Sequence, residues 1–226
     1  GSEPKVEPAR LADGDKRIHV VREAHAGRSA ARNRGLATAK GTYIAFLDDD
    51  DTYLPQKLEI QVAHLEEHPR ESIVSGGARY IDEHGREIGE FTPWEEGRTL
   101  TFRDALYGTR MITSSVLFRR ELLDTMSEWF DPEMDLAEDG DFFVRLLYHA
   151  GEATILPAWV SLYRLRDNDR TGGGPAASRG YRRVLDKAYS LPDLPDAVLR
   201  ERPRVYAHLH MVCGCRAYAV QDAEHA

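Results

Sequence analysis

The chain has 226 residues, with 30 basic against 38 acidic side chains and a formal charge of −8. That acidity argues against a broad nucleic-acid-binding face. At 42% hydrophobic and 30% charged, the composition is globular, and the length suffices for a full core without disulfides or metal staples.

No run approaches the roughly 18 apolar residues of a membrane span, and nothing resembles a signal peptide. Cys213 and Cys215 are the only cysteines. One Cys-x-Cys is too few ligands for a structural zinc site, which takes four, so both read as incidental thiols in a reducing cytoplasm.

In chain order, residues 1–17 are polar and irregular, with a short helix expected around Val6–Leu11. Ile18–Val21 is an apolar run bounded by charge, a buried-strand candidate. Ser29 can cap a helix through Lys40, with Gly41 as its stop. Thr42–Leu47 is apolar on both faces apart from Thr42, as in the centre of a parallel sheet. It ends in four aspartates.

Pro55 suits a first helical turn, Leu58, Val62 and Leu65 form a stripe, and Pro69 ends that helix. Ile73–Ser75 reads as a strand and Tyr80–Ile88 as a hairpin around Glu83-His84-Gly85. Thr113–Phe118 is a further strand and Arg120–Met126 a short helix. Asp139–Ala150 is amphipathic, with Phe142, Phe143, Leu146 and Leu147 on one side. Strands follow at Thr154–Val160 and Leu162–Leu165, then a glycine-rich loop from Asp167 to Ala177. Two helices close the chain, Tyr181–Ser190 and Pro203–Gln221. Alternating strands and helices in the first 75 residues predict an α/β fold with a mainly parallel sheet and a helical appendage.

The Asp48-Asp49-Asp50-Asp51 run carries the most chemistry. Ligands bind beyond the carboxyl ends of strands in open α/β sheets, and this run follows a buried strand. Four adjacent carboxylates repel one another, and burying them calls for a cation. Mg²⁺ or Mn²⁺ takes one or two carboxylates plus phosphate oxygens, which suits a metal holding a diphosphate. In an extended segment Asp48 and Asp50 would share one side. A solvated acidic turn capping the next helix is the plain alternative.

Residues 27–58, GRSAARNRGLATAKGTYIAFLDDDDTYLPQKL, resemble the inverting nucleotide-sugar glycosyltransferases of family 2, with the GT-A fold. The resemblance rests on Ala31-Arg32-Asn33-Arg34-Gly35, Leu47-Asp48-Asp49-Asp50-Asp51 and Pro55, in the family's order. Downstream, Thr113–Arg120 is similar to the strand lining the acceptor side. Phe130-Asp131-Pro132 resembles a family turn, and Ala137–Leu146 the segment whose aspartate, here Asp139, is the usual general base. The match covers roughly residues 15–170.

The resemblance implies a metal-dependent inverting transfer from a nucleotide-diphosphate sugar to a hydroxyl of a glycan, lipid-linked or small-molecule acceptor, in polysaccharide, glycolipid or cell-envelope glycan synthesis. Asp139 would be the catalytic base. Asp50 and Asp48 would hold Mn²⁺ or Mg²⁺. Arg32, Asp48, Asp49 and Arg166 would face the nucleotide sugar, and Ser114, Ser115, Glu138 and Trp94 the acceptor.

Local sequence alone reads Glu138, Asp139 and Asp141 as charges favouring a helix N-terminus. In Tyr163-Arg164-Leu165-Arg166-Asp167-Asn168, Arg166 replaces the family's histidine; it can clamp a phosphate but cannot readily ligate a metal. His25, His64, His68 and His84 read as solvated, and His208 and His210 cannot share a helix face. Trp159 reads as core.

The GT-A-like domain is expected over residues 1–170 and a helical extension over 171–226. The extension could dock an acceptor, a membrane surface or a second copy. The family opens with a strand, a helix and a second strand ending in Asp-Asp-Gly-Ser. Starting at Gly1-Ser2, the chain is expected to lack those elements and to bind a sugar nucleotide poorly on its own. Two other readings remain at this stage. One is a non-catalytic GT-A-like binding module. The other is a haloacid-dehalogenase-like phosphatase, because FLDDDDT also fits Asp-x-Asp-x-Thr, with Asp48 as nucleophile.

Overall fold

The computed structural model describes residues 15–21, 27–165 and 175–225. The expectations for Val6–Leu11, His25, Arg166 and the loop at 167–174 lie outside them. Helix α1 spans Gly27–Thr38 and ends just before the expected glycine stop. Strand β1 (Tyr43–Ile44) leads to the aspartates, and β2 (Thr52–Tyr53) follows them. Helix α2 is Lys57–Glu67. The long strand β3 (Ile73–Ile81) turns through Gly85, at φ +81°, into β4 (Glu87–Phe91). Strand β5 (Thr99–Thr101) and the one-turn helix α3 (Phe102–Ala105) come next.

A 3-10 turn, Thr113–Ser115, precedes strand β6 (Leu117–Arg119), so only the second half of the expected 113–118 strand is extended. A second 3-10 turn, Arg120–Thr125, stands where a short helix was expected. Helix α4 (Glu138–Ala150), strand β7 (Glu152–Arg164), helix α5 (Pro175–Ala188) and helix α6 (Asp196–His225) complete the order. Among the described residues no helix is long and apolar enough to cross a membrane.

The strands form one sheet in the order β1-β6-β3-β7-β2, with β4 added to β3 and β5 to β7. The α/β expectation holds, but the sheet is mixed rather than mainly parallel. Among the described residues β3 with β7 is the parallel ladder, and every other pairing is antiparallel. Strand β7 is continuous through Pro157, with register shifts opposite Ser75, Gly77 and Ala78. Glycine is required at 77: a Cβ there would lie 2.3 Å from the Phe91 carbonyl and 2.5 Å from the Trp94 ring.

Two local expectations are corrected. Ile18–Val21 is neither strand nor buried; Ile18, Val20 and Val21 are exposed and pair with no strand among the described residues. In α2 the fully buried face is Lys57–Gln61–Leu65, whereas Leu58 is exposed. The register is set by polar partners: Gln61 Nε2 donates to the Ser115 carbonyl at 2.8 Å, and Lys57 Nζ donates to the Val116 carbonyl at 3.2 Å. A hydrophobic stripe cannot express such a preference.

The core lies between the sheet and α4. Phe142, Phe143, Leu146 and Leu147 are buried at helical spacing, each contributing about 1.5–3 kcal/mol by burial. Phe142 stacks on Phe130 at 4.3 Å, and Phe46 meets both rings edge-on. Val184, Leu185, Ala188, Val198 and Val205 belong to the same cluster, so α5 and α6 pack into this core.

Candidate active site

The four aspartates follow β1 but do not continue it. The Asp51 N–H closes a tight turn onto the Asp48 carbonyl at 3.1 Å. Aspartate tolerates turns and disfavours strands, and bending separates charges that alternation would align. The expected shared side for Asp48 and Asp50 in an extended segment therefore gives way to a turn. Asp49 is exposed at its tip, Asp48 and Asp50 are half-buried, and Asp51 is buried.

Arg164, at the end of β7, grips this turn. Its backbone N–H donates to Asp51 Oδ1 at 3.0 Å, and its guanidinium donates to the carbonyls of Asp50 and Asp82. Burial pushes the Asp51 carboxyl above the ordinary range, and Asp51 Oδ2 is buried with no hydrogen-bond partner.

Helix α1 supplies the cations. Arg32 donates to Asp48 Oδ1 and to Glu138 Oε1, each at 2.8 Å, with its guanidinium 5.3 Å from the centre of the Phe130 ring. Burial disfavours its charge, but the carboxylates of Asp48 and Glu138 more than offset that and hold it protonated. One turn earlier, Arg28 donates to Glu138 Oε2 at 3.1 Å and to the Asp135 carbonyl at 3.2 Å. Asn33 fixes the platform, exchanging two hydrogen bonds with the Phe130 backbone at 2.7 and 2.9 Å.

Glu138 and Asp139 open α4 immediately after Ala137, which is held left-handed at φ 62°, ψ 24°. That conformation costs a non-glycine residue about 1–2 kcal/mol and aims the first helical turn at the cleft. Asp139 Oδ1 accepts from the Gly140 N–H at 2.8 Å, and Oδ2 accepts from the Thr113 hydroxyl at 3.3 Å. Ser114, from the same 3-10 turn, accepts from the Asp48 N–H at 3.3 Å.

Asp48, Arg32, Glu138 and Asp139 thus meet in one cleft of about 380 Å³, with Tyr163 and Tyr181 on its walls. A wider groove of about 980 Å³ runs along α1, lined by Arg28, Arg34 and Asp135. Neither Asp48 nor Asp139 lines that groove; both line the smaller cleft.

Other expected site residues stand elsewhere. Ser115 faces inward, its hydroxyl 2.9 Å from that of Ser75 and donating to the Ile112 carbonyl. Trp94 packs edge-on to Trp159 at 5.5 Å and does not line the cleft. Glu138 does line the cleft, but it is buried, with both oxygens committed to Arg28 and Arg32. Sequence reasoning missed Arg28, Thr113, Tyr181 and Arg216. The four-residue spacing of Arg28 and Arg32 on one helix face could have revealed the first. Tyr181 and Arg216 reach the cleft through the docking of α5 and α6, which leaves no local signal.

The donor set fits a hard divalent cation. It consists of carboxylate oxygens, one of Asp48's is already neutralised by Arg32, and Asp51 carries a buried oxygen without a partner. Among the described residues, the aspartates do not themselves gather three ligand atoms into one cluster.

Known proteins resemble this chain in sequence and in fold. The glycosyl transferase family 2 model matches residues 6–126. The chain belongs to glycosyl transferase family 2. It is 36% identical over 155 residues to the putative teichuronic acid biosynthesis glycosyltransferase TuaG of Bacillus subtilis, covering 68% of this chain and 59% of that protein. It is 29% identical over 160 residues to the uncharacterized glycosyltransferase MJ1057 of Methanocaldococcus jannaschii, covering 69% and 53%.

This family 2 chain therefore spans little more than half the length of those relatives. Its fold is GT-A. The crystal structure of S. aureus TarS residues 1–349 with UDP-GlcNAc superposes with a TM-score of 0.67 at 17% identity, covering 89% of this chain and 57% of that one. Family membership displaces the dehalogenase reading of Asp48.

Proposed function

We propose that this chain carries the sugar-transfer unit of a glycosyltransferase that moves a sugar, with inversion, from a nucleoside-diphosphate donor to an acceptor hydroxyl in cell-envelope polysaccharide synthesis. The observation that carries the reading is the Asp48–Arg32–Glu138 bridge standing beside Asp139 in one cleft. The donor class is supported by the UDP-GlcNAc complex of TarS, and the pathway class by the name of TuaG.

In this reading Asp139 takes the proton of the acceptor hydroxyl as that oxygen attacks the anomeric carbon. The Thr113 hydroxyl and the Gly140 N–H orient its carboxylate. Arg32 keeps Asp48 turned toward the donor side and screens it from Glu138. Asp48 and Asp50 would hold Mn²⁺ or Mg²⁺, which when bound would supply positive charge to offset that of a diphosphate leaving group. Asp49, exposed at the tip of the turn, would face the nucleotide sugar. The transfer unit is taken as residues 1–170. The helices of 171–226 form an extension whose Ala177 and Tyr181 close one side of the cleft.

Incubating the chain with a panel of nucleotide sugars and Mn²⁺ tests this directly. Slow release of free nucleotide, abolished by Asp139→Asn and by Asp50→Ala, is the expected result. Nucleotide-sugar binding without any turnover, unaffected by Asp139→Asn, would instead establish a binding module.

A further inference from the structure

A second set of metal-ligating side chains lies away from the cleft, where α2 hands over to β3. Among the described residues, His64, His68 and Glu71 are the one group of three or more His, Cys, Asp or Glu whose ligand atoms all lie within 4.8 Å of one another. His64 and His68 are four apart at the end of α2, the spacing at which two helical imidazoles reach one ion. Their rings lie 4.3 Å apart, inclined by 20°. Pro69 ends the helix and returns the chain, so that Glu71 Oε2 sits 2.7 Å from His64 Nε2.

The surrounding hydrogen bonds prepare these groups for ligation. His68 Nδ1 is 2.8 Å from the His64 carbonyl. A carbonyl can only accept, so Nδ1 carries the proton and Nε2 presents its lone pair outward. The Thr154 hydroxyl donates to Glu71 Oε2 at 2.6 Å, and Arg119 Nε donates to the Glu71 carbonyl at 2.9 Å. Burial disfavours the Glu71 charge, but the hydrogen bonds from Thr154 and His64 outweigh it and hold the carboxyl below its ordinary value.

We propose that His64, His68 and Glu71 form a transition-metal site, selective for Zn²⁺ or a similar borderline cation over Mg²⁺ and Mn²⁺. Two imidazoles and one carboxylate suit such an ion, with water as the fourth ligand. Tetrahedral zinc holds its ligand atoms about 3.3 Å apart, closer than the 4.8 Å within which these three lie, so ligation requires a small shift of the exposed His68 side chain. On ligation the metal takes the place of the proton between His64 Nε2 and Glu71. That proton moves to His64 Nδ1 or is released to solvent. The bound ion ties the end of α2 to the start of β3 and, through Thr154 and Arg119, to β7 and β6.

Calorimetric titration of the full chain with Zn²⁺ alone tests the site, in a Cys213→Ser/Cys215→Ser background that removes the two free thiols as rival ligands. One equivalent of Zn²⁺ should bind with micromolar affinity or better. His68→Gln alters only an exposed ring and should weaken binding by at least about tenfold; His64→Gln should do the same. Asp50→Asn should leave Zn²⁺ binding unchanged, which separates this site from the cleft. Absence of micromolar Zn²⁺ binding, binding that survives His68→Gln, or binding lost with Asp50→Asn would each overturn the assignment.

Discussion

The first turn of α4 faces two charged networks built to opposite specifications. On one side Glu138 and Asp139 meet Arg28, Arg32 and Asp48 of the aspartate turn in an open cleft. On the other side Asp141, only 1% exposed, is closed in between helices. It accepts from Arg145 Nε at 3.0 Å and lies 3.3 Å from Lys187 Nζ. Arg145 also donates to the carbonyls of Glu128 and Trp129, and Lys187 to Asp131 and Glu128. Residues two apart in sequence thus diverge: one network lies open in the cleft, while the other is closed in and holds α5 against α4.

Separating the two roles gives the largest expected effect. Asp139→Asn should lower turnover by about 10²–10⁴-fold with the unfolding midpoint in urea unchanged. Asp141→Ala should do the reverse. It leaves Arg145 buried and uncompensated at a cost of about 3–5 kcal/mol, read by urea unfolding. If both variants lost activity and stability in the same proportion, the two networks would be one.

Lys57 provides a third kind of charge, a buried cation whose hydrogen bonds go to Gln61 and the Val116 carbonyl. Burial holds its amine at about 7. Between about pH 7 and the ordinary amine range, the unfolded chain therefore binds more protons than the folded one. Stability should climb as pH rises through that window and flatten below it. Thermal unfolding from pH 6 to 10 should show the climb in the parent and lose it in Lys57→Met. A flat parent profile would mean that this amine is not buried as described.

A smaller effect is expected for Arg32→Lys. An ammonium cannot reproduce the planar fork that spans Asp48 and Glu138, so donor KM should rise by the loss of about 1.5–3 kcal/mol of charged hydrogen bonding, with the fold intact. Smallest of all is Ala137→Gly. Relief of the left-handed alanine, set against the greater freedom of unfolded glycine, should change stability by no more than about 1 kcal/mol. A large loss would show that the Ala137 side chain has a packing role of its own.

Much of the fold was readable because its signals are local. The hairpin around Gly85, the amphipathic helix at 138–150 and the helix beginning near Pro55 are written in glycine placement and periodicity. The misreadings share one cause. Ile18–Val21 was judged by its own apolarity, but a strand exists only with a partner. The strand near 43 looked parallel-sheet-like, yet its pairing direction depends on Phe118 and Arg119, far along the chain. Leu58 was placed on the apolar stripe; the carbonyls of Ser115 and Val116 bury Gln61 and Lys57 instead.

Within the site, the chemistry-bearing residues were legible as types: an arginine on the Ala-Arg-Asn helix, a run of aspartates after a strand, an aspartate opening a helix. Their division of labour was not. Glu138 and Asp139 are adjacent and both acidic, and only the arrival of α1 shows that Glu138 is consumed by Arg28 and Arg32 while Asp139 stays available. Likewise, His64 and His68 are solvated histidines to a sequence reader until Pro69 turns Glu71 back onto them. Residue identity and short-range spacing set which elements form and what chemistry the chain can hold. Long-range packing alone selects which charges are neutralised and which are left to act, because an ion pair depends on distance in space and not on distance along the chain.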